Sequence, residues 1–152
     1  MYGSRNFACS SLVALGGLLW LLSLMLPAIS LPGSEAYRGV RVLLEGWRSV
    51  RYGIPAWCAN PAFVVAVVLV VLKRHRSAAL VSGLSLILAA SSGATQWIAA
   101  RIGTPLPSFA FEPGVVVWIG ATAIVFAGTC CAVRSPARAS GTSMTQPPRS
   151  RD

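Results

Sequence analysis

The chain has 152 residues, of which 55% are hydrophobic and 11% charged, and its mean hydropathy is +0.65. That charge content is under half of the roughly 25% usual in a soluble domain, so the composition excludes an ordinary soluble enzyme and places the chain in the membrane class. Thirteen Lys and Arg against four Asp and Glu give a formal charge of +9. Because the basic residues flank apolar runs, the excess reads as membrane orientation and contact with anionic lipid, and not as nucleic-acid binding.

Four nearly uncharged stretches, residues 6–32, 50–72, 77–100 and 113–133, each hold roughly the 20 apolar residues needed to cross a bilayer core of about 30 Å. They predict spans over about residues 7–28, 55–72, 77–100 and 113–133. The fold class expected is all-α: an integral membrane four-helix bundle occupying residues 1–133, followed by a disordered basic tail over 134–152. This leaves no room for a separate catalytic domain. The first span follows Arg5 and precedes Ala28-Ile29-Ser30, which imitates a signal cleavage site. Its apolar run is longer than the 7–15 residues of a signal core, which favours a retained helix.

The first loop, EAYRGVRVLLEGWRSVRYG at residues 35–53, segregates on a 3.6-residue period. Glu35, Arg38, Arg41, Glu45, Arg48 and Tyr52 share one face; Val40, Leu43, Leu44, Trp47 and Val50 share the other. That pattern predicts an interfacial amphipathic helix, and the alternative is a lid folded over the mouth of the bundle. Gly39 and Gly46 weaken the helix.

The second span opens with WCANPAF. Proline at the first helical position costs nothing and Asn before it can cap free amides, so Asn60-Pro61 predicts a helix start. Glu112-Pro113-Gly114 opens the fourth span in the same way, with a carboxylate near the positive end of the helix dipole.

The KRHR link, residues 73–76, joins the second and third spans and is expected on the cytoplasmic side, with both termini. Eight basic residues then lie inside and five outside. All five tryptophans, Trp20, Trp47, Trp57, Trp97 and Trp118, fall towards the opposite, outer side, at the depth that indoles prefer. The third span is rich in small residues. Ser85, Ala89 and Gly93 recur at every fourth position, the spacing that lets helices approach closely, within one chain or at a homo-oligomer seam. Gly16 and Gly17 in the first span and Gly120 and Gly128 in the fourth offer matching grooves.

No span interior carries an ionisable side chain, whereas proton relays and most coupled transporters need one. The lone His75 sits among basic neighbours in the KRHR link, and no catalytic residue, metal site or cofactor is expected. Cys9, Cys58, Cys130 and Cys131 lack a Cys-x-x-Cys spacing and are expected to pack as small apolar residues.

Leu26-Pro27-Ala28, Gly46-Trp47, Trp57-Cys58-Ala59-Asn60-Pro61, and Pro113-Gly114 followed by Trp118 give the chain its resemblance to a group of small bacterial inner-membrane proteins with four predicted spans. The resemblance covers most of the chain before the tail. It implies an inner-membrane location and a multi-pass topology, and brings no activity with it. The resulting expectation is a non-enzymatic membrane component that binds lipid or a partner protein. Its outer rim would be Trp47, Arg48, Trp57, Asn60 and Trp118, and its helix-packing positions Ser85, Ala89 and Gly93. The competing class is an oligomeric transporter or channel for a neutral or amphipathic solute.

Overall fold

A computed structural model describes residues 2–30, 35–52, 55–102 and 110–134; the predicted tail beyond Arg134 lies outside them. Helix α1 runs Tyr2–Met25 and is followed by strand β1, Pro27–Ser30. The helix stops there because a proline disfavours the helical conformation of the residue before it, here Leu26. Strand β2, Tyr37–Arg38, leads into helix α2, Gly39–Glu45, and then a 3₁₀ helix, Gly46–Tyr52. A 3₁₀ turn, Pro55–Cys58, opens helix α3, Ala59–Val71; helix α4, His75–Ile102, strand β3, Ala110–Phe111, and helix α5, Pro113–Arg134, complete the order.

Three helical stretches, Phe7–Met25, His75–Gly93 and Pro113–Arg134, are long and apolar enough to cross a membrane, and Pro55–Val71 is a shorter apolar one. The helices pack in the spatial order α1, α5, α4, α3. Glycines set the closest approaches. A Cβ on Gly16 would stand 2.5 Å from Val125 Cγ2, and one on Gly128 would stand 3.0 Å from Val13 Cγ2. These two positions let α1 and α5 meet nearly backbone to backbone, as small residues do between apolar helices. Gly17 and Gly120, expected to offer similar grooves, face open space.

Of the predicted packing positions on α4, Ser85 and Ala89 are fully buried. Ser85 Oγ donates to Ala59 O at 2.9 Å, tying α4 to the start of α3. Gly93 has nothing within 4 Å of a built Cβ, so the small-residue row works over its first two positions and then leaves the interface. Ser82 and Thr129, both buried, share a hydrogen bond of 2.9 Å between α4 and α5.

The all-α expectation misses a small antiparallel sheet in the order β2-β1-β3. Ile29 pairs with Tyr37 on one side and with Phe111 on the other. Strands of two to four residues are too short to show the two-residue alternation by which a sequence announces a strand. The predicted single interfacial helix is likewise corrected to a strand, a seven-residue α-helix and a 3₁₀ helix. Gly39 is where the first change occurs: its N–H reaches Leu26 O at 2.9 Å, and a Cβ there would collide with Ser23 O.

The cysteine expectation also changes. Cys9 and Cys131 form a disulfide, with 5.7 Å between their Cα atoms, while Cys58 and Cys130 are free thiols. The antiparallel run of α1 and α5 brings two positions 122 residues apart to the same level, a proximity that spacing motifs do not encode. The disulfide lies at the end of the bundle that also holds the α3–α4 link, and the sheet lies at the other.

Candidate binding site

The sheet end is organised around Asn60. Its side-chain Oδ1 accepts hydrogen bonds from Trp20 Nε1 at 3.2 Å and Trp118 Nε1 at 3.0 Å, and its Nδ2 donates to Trp57 O at 3.3 Å. Indole N–H groups only donate, so two of them converging on one atom require it to be the amide oxygen. One buried side chain thereby joins α1, α3 and α5. This corrects the capping role expected of Asn60: α3 begins at Ala59, two residues before Pro61, with no side-chain cap. The amide faces inward because three helices supply partners for it there, and a buried amide left unpaired costs about 1–3 kcal/mol.

Trp57 continues the network. Its Nε1 donates to Leu43 O at 2.7 Å, pinning the end of α2 over the start of α3. Gly46 makes room for that ring; a Cβ there would stand 2.5 Å from Trp57 Cδ1. On the far side Trp20 stacks on Phe63, with ring centroids 5.4 Å apart, and Ser23 Oγ donates to Trp20 O at 2.6 Å. Gly114 sits against Pro27, where a Cβ would be 2.5 Å from the carbonyl oxygen, and this seats β1 on the start of α5.

Under this roof lies a cavity of about 280 Å³. Its walls are mainly apolar: Leu24, Ala28, Ile29, Val42, Leu43, Ala56, Phe111 and Val115, together with the Trp57 and Trp118 rings. Among the described residues, Asn60, Ser23 and Ser92 are the polar side chains on it, and none that lines it is charged. The α2 segment thus roofs the bundle mouth, which is the lid arrangement weighed as the alternative to a helix lying free in the interface.

The predicted rim therefore divides. Trp57, Asn60 and Trp118 come together at the cavity, whereas Trp47 and Arg48 are exposed on the outside of the 3₁₀ helix, with the Arg48 guanidinium 5.7 Å from the Trp47 ring centroid. Beside them Arg41 lies over Tyr37 at 4.7 Å and bonds Glu45 at 3.1 Å. Val40, Leu44, Trp47 and Val50 remain exposed next to these charges. Sequence reasoning missed Trp20, Ser23, Ser92 and Phe111 as members of the site. Trp20 left a signal, since an indole at the depth of Trp57 and Trp118 needs a hydrogen-bond acceptor and Asn60 is the nearest amide in a span.

Among the described residues no group of three or more His, Cys, Asp or Glu side chains gathers to hold a metal ion. Comparison with protein-family models, with curated proteins and with solved structures finds no match for the chain.

Proposed function

We propose that the chain is a four-span inner-membrane protein, a non-enzymatic component that binds lipid in and around the cavity at its sheet end. The observation that carries this reading is the cavity itself: apolar, uncharged, and roofed by an amphipathic segment whose outer side exposes Arg41, Arg48, Leu44 and Trp47. Its volume lies near the lower bound of about 300–1,000 Å³ for small-molecule sites, a size suited to one chain of a lipid.

Exposed apolar side chains on α1, α3, α4 and α5 support the four spans. Phe7, Leu18 and Met25 on α1, Val71 on α3, Leu80, Leu84 and Ile87 on α4, and Val116 on α5 are each more than half exposed, as on helices bathed in hydrocarbon. Lys73 and Arg74 at the α3–α4 link support cytoplasmic termini. The Cys9–Cys131 disulfide weighs the other way, because such bonds persist in oxidising compartments. A phosphatase reporter fused after Asp152 decides between them: an active fusion reverses the orientation.

An oligomeric channel for a neutral or amphipathic solute is the second reading. It is favoured by Gly17, Gly93 and Gly120, which face open space at positions where another helix can come close. Native mass spectrometry of the protein, extracted gently from its own membrane, tests both. Retained lipid on a single chain is the expected result. A second polypeptide at fixed stoichiometry makes the rim a protein-docking surface instead, and a lipid-free homo-oligomer that passes solute into liposomes replaces the first reading with the second.

A further inference from the structure

Counting the hydrogen-bonding groups around the cavity narrows the ligand. Asn60 is 92% buried, with 8% of its surface exposed. A primary amide has two acceptor positions and two N–H groups. Trp20 and Trp118 take both acceptor positions, and Trp57 O takes one N–H. One N–H is left. The other side-chain donors on the wall are all engaged: Trp57 Nε1 with Leu43 O, Ser23 Oγ with Trp20 O, and Ser92 Oγ with Ala89 O at 2.7 Å.

We propose that the cavity selects an acyl ester, taking its hydrocarbon chain against the apolar walls and its ester carbonyl on the remaining N–H of Asn60. The proposal deepens the lipid-binding reading and rests on it. Two observations choose the ester. With no charged residue among the described ones on the wall, a carboxylate or phosphate would be buried without a counter-charge, which is strongly disfavoured, whereas a neutral carbonyl needs one donor and finds one. The depth also matches. Two indoles meet at Asn60 and that of Trp57 lies on the same cavity wall; indoles settle at the membrane–water interface, where the ester groups of lipids lie.

The test uses the full chain purified in an alkyl maltoside, a detergent without ester groups. Trp57 and Trp118 line the cavity, so their fluorescence reports a bound brominated chain. Three probes of equal chain length, each brominated mid-chain, are titrated: a fatty-acid methyl ester, the corresponding alkane and the free acid. Saturable quenching with the ester about five-fold tighter than the alkane is expected, the factor that one hydrogen bond of about 1 kcal/mol confers. The carbonyl stretch of the bound ester, isotope-labelled, should move to lower frequency than in protein-free micelles. N60D, which keeps acceptor oxygens for the indoles, should abolish the preference; should that variant not fold, the infrared shift in the unmodified protein decides. Equal midpoints for ester and alkane with no carbonyl shift, or tighter binding of the free acid, overturns the ester assignment and leaves lipid binding standing. Absence of saturable quenching by every probe removes lipid binding in the cavity and the ester assignment with it.

Discussion

The two ends of the bundle are closed by different chemistry. At one, a disulfide from Cys9 to Cys131 and the glycine contact of Gly128 against α1 hold α1 and α5 together. At the other, two indoles and one amide join α1, α3 and α5, the third indole ties α2 to the start of α3, and short strands and α2 roof the cavity. A covalent bond and a small-residue contact make a closed joint; rings on a shared hydrogen-bond acceptor make a frame with space inside. The difference places the candidate site at the sheet end, where polar groups are arranged around a void.

The comparison breaks most clearly if the two joints fail together. Reducing the disulfide, or the change Cys9→Ser, should lower stability by about 2–4 kcal/mol, the range for losing a bond that closes a long loop. Thermal unfolding followed by circular dichroism should show the loss, while tryptophan emission and probe quenching at the sheet end stay unchanged below the transition. The reciprocal change, Asn60→Leu, strands two indole N–H groups and should cost about 2–3 kcal/mol. It should also shift tryptophan emission and leave the disulfide intact by mass. If either change disturbed the other end at temperatures where the chain is folded, the two joints would not be independent.

A smaller effect separates the roof from the frame. Gly46→Ala places a methyl group against the Trp57 ring and should cost about 1–2 kcal/mol by overpacking. Because the ring is held by Leu43 O, the displacement should fall on the α2 segment, and probe quenching should weaken several-fold while Asn60 and its two indoles remain in place.

Much of the frame was legible in the sequence. Apolar runs of about 20 residues announce helices whatever their neighbours, and a row such as Ser85 and Ala89 announces a close contact without naming its partner. Trp57, Asn60 and Trp118 stood out as polar-tipped residues at one depth. What was hidden depends on tertiary arrangement: which indoles share Asn60, that Cys9 faces Cys131, and that residues 37–52 break into three short elements. Gly39 and Gly46 marked the breaks as weak points of a helix, but the reasons for them, Ser23 O and the Trp57 ring, lie in other elements.

The smallest prediction has the opposite sign. Lys73 follows Leu72, the C-cap of α3, with a φ of 58°, in the left-handed region that glycine enters without a Cβ penalty. It is the residue just past the helix, and the N–H groups of Lys73 and Arg74 return to Val70 O at 2.9 Å and Leu69 O at 2.9 Å, an arrangement that usually recruits glycine. Lys73→Gly should therefore stabilise the chain by about 0.5–1 kcal/mol, a gain reduced by the greater freedom glycine brings to the unfolded state, and thermal unfolding should register a small upward shift. A decrease would show that the Lys73 side chain contributes more than its backbone strain costs. At this end of the molecule the candidate contribution is a cation beside the membrane surface, so the same variant in the reporter fusion gives a second readout: if Lys73 helps hold the link on the cytoplasmic side, its loss should raise the fraction of inverted chains.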